Sequence, residues 1–214
     1  MKRIAIGLVA AVLVACWQSP GQVSLNAHRL PSPDTAGGKP LMRALEERRS
    51  TRLFSERKLP DQVLSNLLWA AFGINRPDGH RTAPSARNWQ EIQVYAVMED
   101  GTYLYDAGTH SLRPVIGGDL RSKTGTQDFV ARAPLDLVYV ADLTKVDTRT
   151  EEERSFYTGA DCGFIAENVY LCCASQGLAV VVRASIDKAT LSAAMHLTAD
   201  QRIVLSQTVG FPKE

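Results

Sequence analysis

The apolar residues of this 214-residue chain recur at two spacings, and each spacing predicts its own kind of element. Residues 40–49 place Leu41, Ala44 and Leu45 on one face of a helix. A second apolar stripe at helical spacing lies within residues 60–72 and consists of Val63, Leu64, Leu67, Leu68 and Ala71. Both patterns predict helices that pack one face on a core.

Short apolar runs between turn residues predict strands further along the chain. Residues 92–98 and 102–105 flank a Glu-Asp-Gly turn, which predicts a hairpin that residues 111–115 extend. Residues 135–141 are almost wholly apolar, which favours a central strand buried on both faces. Two more strands are predicted at residues 178–182 and 202–209.

Three further segments predict helices, at residues 119–132, 151–176 and 187–196. The second half of residues 151–176, from Phe164 on, has few polar positions, so deep burial is expected there, and Gly177 suits the helix end. Helices come first, a strand meander follows, and helix and strand then alternate. This order predicts an α+β domain with a central, mostly antiparallel sheet flanked by helices, in which crossover pairs are possible.

The N-terminal residues predict export rather than folded structure. A positive start at Lys2 and Arg3 precedes an apolar stretch that is too short to span a bilayer, as in a signal peptide. Residues 13–16, Leu-Val-Ala-Cys, look like a lipobox that would attach a lipid at Cys16, and plain cleavage without lipid is the alternative. Residues 17–39 predict a flexible tether, which leaves 40–214 as one domain. The predicted location is therefore periplasmic or membrane-anchored, as a lipoprotein.

Composition excludes some functions. With 24 basic and 23 acidic residues and no basic block, the sequence gives no indication of nucleic-acid binding. Beyond Cys16, the adjacent Cys172 and Cys173 point about 100° apart on a helix, so we expect them, with Cys162, to be buried apolar side chains rather than a disulfide. No metal site is predicted, because the histidines are scattered, at His28, His80, His110 and His196.

The first candidate for chemistry is the run 47–54, Glu-Arg-Arg-Ser-Thr-Arg-Leu-Phe. If the helix ends near Ser50, Arg48 and Arg52 can converge on one anion, and guanidinium suits phosphate because it donates two parallel hydrogen bonds. Ser50 adds a hydroxyl or backbone donor. The alternative is a solvated helix end whose cations favour the helix dipole, and the run taken alone favours that alternative.

Two other segments carry candidate residues. Residues 81–90 form a polar loop in which Asn88 and Gln90 carry amides that donate and accept, as the edge of a flavin ring requires. A surface loop anchored by one tryptophan explains the same pattern. Further on, the small residues Ala184 and Ser185 would let backbone amides approach a flat ring, although an ordinary helix–turn–strand unit explains them equally.

In this order, the three segments resemble motifs of the nitroreductase family. Residues 47–54 are similar to its Arg-x-Ser-x-Arg/Lys phosphate motif, and residues 84–90 to its Pro-Ser-x-x-Asn-x-Gln loop. Residues 160–178 look like its core helix and Gly-Leu turn, and residues 209–212 like its Val-Gly-Tyr-Pro ending. The run 67–73, Leu-Leu-Trp-Ala-Ala-Phe-Gly, is similar to the SagB/ThcOx-like dehydrogenase branch.

The resemblance implies a homodimer that holds FMN in a groove at the subunit interface. Arg48 and Ser50 would hold the phosphate, and Arg52 would lie near the pyrimidine edge, where its charge favours the anionic reduced ring. Many relatives have further basic residues after the Val-Gly-Tyr-Pro ending, and here only Lys213 is left for that role.

The other implied cofactor contacts come from the loop and from the segment after residue 183. Asn88 would hydrogen-bond the ring, with Pro84 and Ser85 shaping the loop. Ala184 and Ser185 would place backbone amides near the redox-active nitrogen of the flavin. No residue is assigned as a catalytic proton donor.

The predicted function is that of an FMN-dependent oxidoreductase that transfers a hydride or electrons to or from a small molecule, such as a nitro compound, a quinone or an enone. Azoline-type dehydrogenation is a narrower version. NAD(P)H is a possible donor, although it is not expected outside the cytoplasm, where an exported chain would also have to acquire its FMN. The alternative is a non-catalytic exported protein that keeps the fold and binds a ligand or partner.

Overall fold

Every strand pair is antiparallel in the computed structural model, which describes residues 26–213. The strands in that range are β1 His28–Arg29, β2 Ile92–Val97, β3 Gly101–Asp106, β4 Ser111–Gly117, β5 Leu135–Asp142, β6 Ala179–Arg183 and β7 Gln201–Gly210. They form one sheet in the spatial order β1-β4-β3-β2-β5-β7-β6. The prediction of a mostly antiparallel sheet is confirmed.

Helices lie on both faces of this sheet. In the described range they are α1 Leu41–Glu47, α2 Asp61–Phe72, α3 Glu151–Gln176 and α4 Lys188–Ala194. Helices α2 and α3 share the largest apolar cluster with one face, and α4 packs Leu191 against the other. The predicted helices at 40–49, 60–72, 151–176 and 187–196 agree with these bounds within two residues at each end, and the α+β fold class is confirmed.

Strand β5 is the centre of the core. Leu135, Leu137 and Tyr139 join the cluster under α2 and α3, whereas Val138 and Val140 join the cluster under α4. Successive side chains of a strand point to opposite faces, so a run that is apolar except for Asp136 fits a strand that is covered on both sides. The prediction of a central buried strand is therefore confirmed.

Helix α3 is the longest helix in the described range, and both of its ends carry local signals. The Thr150 hydroxyl accepts the backbone N–H of Glu153 at 3.1 Å, which caps the first turn. At the other end Gly177 adopts φ 70°, a left-handed conformation that glycine takes without steric cost. The expected deep burial is wrong for Phe164, which is 49% exposed because it lies on the face turned away from the sheet.

The predicted helix at residues 119–132 is wrong. The segment consists of turns with a single 3-10 turn at Arg121–Lys123. The carbonyl oxygen of Thr124 accepts a hydrogen bond from Arg183 Nη1 at 2.8 Å. A Cβ atom on Gly125 would lie 1.7 Å from the same guanidinium nitrogen, so a side chain at this position would have to displace that guanidinium. A distant arginine therefore sets this backbone.

The packed body begins before residue 40. His28–Arg29 pairs with β4, and the next residue, Leu30, is only 5% exposed. The backbone N–H of Lys39 donates to Ser175 Oγ of α3 at 2.7 Å. From His28 onwards the segment predicted as a tether thus makes contacts that a free linker would not make, because Leu30 packs in the core.

The predicted signal peptide and lipobox at residues 1–16 lie outside the described residues and stay predictions, as does lipidation of Cys16. Between residues 26 and 213, no helix combines the length and the apolar character that crossing a bilayer requires. Cys162 and Cys173 are buried, as predicted, whereas Cys172 is half-buried, and all three are free thiols. Burial raises the pKa of each thiol, that of Cys172 to about 11, so these cysteines act as core side chains.

Candidate functional site

The predicted phosphate motif begins where α1 ends. Arg48 follows the last helical residue with an extended backbone, φ −56° and ψ 123°, so the chain leaves the helix before Ser50. The backbone N–H of Thr51 then donates to the carbonyl oxygen of Val180 in β6 at 2.8 Å. The condition for the arginines to curl towards one ligand, a helix that ends near Ser50, is met.

The same segment runs beside the end of the chain. Phe54 forms a β-bridge with Pro212, and the backbone N–H of Lys213 donates to the carbonyl oxygen of Leu53 at 3.2 Å. Arg52 and Lys213 line one cavity of about 340 Å³. The first and the last of the recognised motifs therefore meet, although more than 150 residues separate them along the chain.

Tyr170 of α3 ties Ser50 to β6. Its hydroxyl lies 2.7 Å from Ser50 Oγ and accepts the backbone N–H of Val182 at 3.0 Å. The Arg48 guanidinium lies 5.5 Å from the centroid of the Tyr170 ring, a distance at which a cation and a ring attract. Sequence reasoning did not find Tyr170, because it is a buried residue on the core face of a helix.

Positive charge gathers around Arg48. Arg48 lines a cavity of about 580 Å³ together with Arg49 and Thr51. Within residues 26–213, neither Arg48 nor Arg52 forms an ion pair with a carboxylate, whereas Arg43 in the same cavity pairs with Glu46 and Glu47. Arg48 and Arg52 thus keep their hydrogen-bond donors for another anion.

The loop at residues 84–90 holds an uncommon backbone. Arg87, Asn88 and Gln90 have φ of 49°, 55° and 48°, in the left-handed region that residues with a side chain rarely adopt. The Ser85 hydroxyl accepts the N–H of Gln90 at 2.9 Å, and the Gln90 amide donates to Asn88 Oδ1 at 2.9 Å. Pro84 and Asn88 are exposed, so the loop presents them to a ligand or partner.

Two carboxyl groups lie beneath this loop. Glu91 is fully buried and accepts the Ser85 hydroxyl at 3.1 Å, while Asp161 of α3 is 3% exposed and accepts the N–H of Ala86 at 2.8 Å. Burial, followed by the nearby Asp161, raises the pKa of Glu91 to about 7. Neither was a predicted site residue.

Ala184 and Ser185 are exposed at the end of β6. Their carbonyl oxygens accept the backbone N–H groups of Ile186 at 2.9 Å and Thr126 at 3.1 Å, which fixes the turn. Val182, which donates to Tyr170, lies two residues before Ala184. This turn is therefore tied to the same tyrosine as Ser50.

Helix α3 relates the two halves of the candidate site. Tyr170 contacts Ser50 on one side, and Asp161, nine positions earlier, holds the 84–90 loop. At 1.5 Å per helical residue these attachment points are about 13.5 Å apart along the axis. The described residues that line the cavity around Arg48 do not include Asn88. The predicted residues therefore form two groups, the Arg48 group and the Asn88 loop.

The antiparallel sheet with helices on both faces defines an α+β domain, in which Arg52 lies beside Lys213 and does not pair with a carboxylate in the described part of the chain. The model of the nitroreductase family matches residues 45–211, which is most of the chain. The chain therefore belongs to the nitroreductase family, and the prediction that it is an FMN-dependent oxidoreductase of the nitroreductase type is confirmed.

Three comparisons illustrate the likeness. A nitroreductase-family protein of Methanocaldococcus jannaschii is 32% identical over 148 residues, which cover 64% of this chain and 74% of that protein. A crystal structure of a nitroreductase-family protein from Ralstonia eutropha JMP134 is 44% identical with a TM-score of 0.85, covering 91% and 93% of the two chains. A nitroreductase-family protein from Desulfovibrio desulfuricans, solved in complex with FMN, shares the fold at 20% identity, with a TM-score of 0.61 and coverage of 82% and 88%.

Proposed function

We propose that the chain binds FMN and that Arg48, Ser50 and Lys213 hold its phosphate. The observation that carries this proposal is the contact between Tyr170 and Ser50. Since the Tyr170 oxygen accepts the N–H of Val182, its own proton can be donated to Ser50, which leaves the Ser50 proton for an anion. One unpaired guanidinium group, one hydroxyl proton and one ammonium group form a donor set that fits a phosphate group.

The ring of the flavin is assigned to the remaining residues. Arg52 would face the pyrimidine edge and stabilise negative charge there. Asn88 would hydrogen-bond the ring from the loop that Pro84 and Ser85 shape. The exposed, small Ala184 and Ser185 admit a flat ring against their backbone. These roles are consistent with the chemistry of each side chain in the structure.

We also propose a homodimer in which one copy supplies the Arg48 group and the other the Asn88 loop. Support comes from large apolar side chains that are exposed in the single chain: Leu41, Met42, Leu45, Phe156 and Phe164. Apolar surface of this kind commonly marks an interface with another protein. A second copy would cover these residues and would bring the two groups of site residues together around one ligand.

The redox chemistry would belong to FMN, which accepts a hydride from one molecule and reduces another when bound. The chain's own residues would orient the ring, exclude water and balance the charge that develops at its pyrimidine edge. The proposed acceptors are small electrophiles such as nitro compounds, quinones and enones, with azoline-type dehydrogenation as a narrower version. NAD(P)H is the proposed donor to test first.

Purified protein tests this function directly. We expect a yellow protein with close to one FMN per chain, bleached by NAD(P)H or by dithionite and recoloured by a quinone or nitroarene. The measurements are the flavin absorbance spectrum and cofactor identification after denaturation. A colourless protein that takes up no FMN on reconstitution would favour the non-catalytic binding protein instead.

Replacing Tyr170 with phenylalanine tests the phosphate end. We expect FMN affinity to fall about three- to tenfold, because one hydrogen bond contributes roughly 1 kcal/mol. Fluorescence quenching of free FMN by apoprotein gives the dissociation constant. Tyr103→Phe is the matched control, since that hydroxyl bonds Asp100 in the β2–β3 hairpin. An effect of equal size in both variants would contradict the assigned role of Tyr170.

A further inference from the structure

We propose that Glu91 and Asp161 share one buried proton and that this protonated pair is the positioning element of the Asn88 loop. The inference rests on the proposed FMN site, because it assigns the residues that hold the ring-binding loop in shape. It concerns two side chains that touch the loop from below.

The first observation is the burial of two acidic groups side by side. Glu91 is fully buried, Asp161 is 3% exposed, and the two carboxyl groups accept hydrogen bonds from adjacent residues, Ser85 and Ala86, so both lie under the same part of the loop. Two ionised carboxylates in such a place would repel each other with little solvent to screen them. One proton between them removes the repulsion.

The second observation is a carboxyl oxygen without a hydrogen-bond partner, which indicates where the proton lies. Glu91 Oε1 is buried without a hydrogen-bond partner, whereas Glu91 Oε2 accepts the Ser85 hydroxyl. Asp161 Oδ2 is already an acceptor for the N–H of Ala86. If Glu91 carried a proton on Oε1, that oxygen would become a donor to the Asp161 carboxylate. This would give the buried oxygen a partner, and buried polar atoms are rarely without one.

The third observation is what the pair holds. The loop has three non-glycine residues with positive φ, and such a backbone persists only where surrounding contacts fix it. Asp161 fixes the backbone N–H of Ala86, and Glu91 fixes the Ser85 hydroxyl, which itself accepts the N–H of Gln90. Loss of the shared proton would therefore loosen the loop at both ends.

Other ionisable groups around Glu91 do not take over this role. From α3, Cys162 adds a buried thiol whose pKa burial raises. From the neighbouring segments, the Lys145 ammonium contacts the Gln90 carbonyl oxygen at 3.3 Å, and Arg81 contacts the Gln90 side chain at 2.8 Å. From β5, the backbone N–H of Asp142 donates to the Glu91 carbonyl oxygen at 2.9 Å. Both cations are thus engaged by Gln90 rather than by the Glu91 carboxyl group.

The test compares wild-type with Glu91→Gln, whose amide donates to Asp161 and accepts from Ser85 without titrating. FMN dissociation constants are measured by fluorescence quenching from pH 6 to pH 9, and the wild-type value is divided by the variant value at each pH, which cancels the ligand's own titration. We expect this ratio to rise about tenfold as the pair loses its proton. Glu91→Ala should bind weakly at every pH, and the glutamine variant should rescue it.

Infrared spectroscopy of the FMN-free protein provides a readout that does not depend on the cofactor. In the difference spectrum of wild-type minus Glu91→Gln at pH 6, which subtracts the contribution of other buried carboxyl groups such as Asp136, we expect the band of a protonated carboxyl group. The band should be weaker in Asp161→Asn, where burial still favours the proton but the like charge is gone. No such band in the difference spectrum would overturn the proposal, and so would a flat ratio. If wild-type failed to bind FMN at any pH, the proposed function would fall, and the band would still decide whether the proton is shared.

Discussion

Replacing Arg48 and Arg52 together with alanine is expected to weaken FMN binding by at least about a hundredfold, so that the purified variant is colourless. Neither guanidinium pairs with a carboxylate in the described part of the chain, so both can donate charge-assisted hydrogen bonds to the ligand. Two such groups together account for a loss of that size. The measurement is FMN content after gel filtration, followed by titration of apoprotein with FMN.

A control variant separates this effect from the simple loss of positive charge. Arg76 and Arg113 are exposed and line neither of the cavities that contain Arg48 and Arg52. The double variant Arg76→Ala with Arg113→Ala has the same net charge as the first and is expected to bind FMN as wild-type does. Equal affinity of both double variants for FMN would contradict the phosphate role of Arg48 and the role of Arg52 at the pyrimidine edge.

Much of the fold could be predicted because its signals are local. The apolar run of β5 reflects a strand covered on both faces, and α3 carries its cap signals at Thr150 and Gly177. Residues 119–132 could not be predicted, since their backbone follows from a guanidinium that arrives from the end of β6. A pattern read along the chain does not contain that contact.

The candidate site divides in the same way. Arg48, Arg52 and Asn88 could be proposed because each belongs to a short motif, and what the structure adds is the contact between the first motif and the chain end. Asp161 and Tyr170 are instead on the buried side of α3, where periodicity predicts only core residues. The sequence did contain one signal for Asp161, because an ionisable residue occupies a position that helical spacing assigns to the core. Spacing along the helix does not show, however, which distant residue it contacts.

The buried Arg183 decides the shape of the turn that carries Ala184 and Ser185. Its Nη2 donates to Asp136 Oδ1 at 2.9 Å and to Thr208 Oγ1 at 2.8 Å, with the arginine and aspartate side chains 3% and 0% exposed. Burial raises the pKa of Asp136 to about 7 although Arg183 and Thr208 oppose the rise. Both charges have lost their hydration, so each depends on the other.

Arg183→Met is therefore expected to lower the free energy of unfolding by about 3–5 kcal/mol at pH 7.5, because it leaves Asp136 buried without its cation. The pKa of Asp136 in the folded state is above its unfolded value, so its stabilising contribution is present below about pH 4 and is lost as pH rises towards 7. Removing Arg183 raises that pKa further. The difference in the free energy of unfolding between wild-type and Arg183→Met should thus be largest at pH 7.5 and smaller at pH 5.5. The measurement is urea unfolding followed by circular dichroism.

Two further variants make this expectation specific to the buried pair. Arg202→Met removes a half-exposed arginine that pairs with Glu151 and should cost no more than about 1 kcal/mol. Arg183→Met combined with Asp136→Asn should cost less than the sum of the single changes, because neither charge is then left alone. An Arg183→Met deficit below about 1 kcal/mol, or one that does not change with pH, would show that the ion pair is not what holds β6 and the turn after it in place.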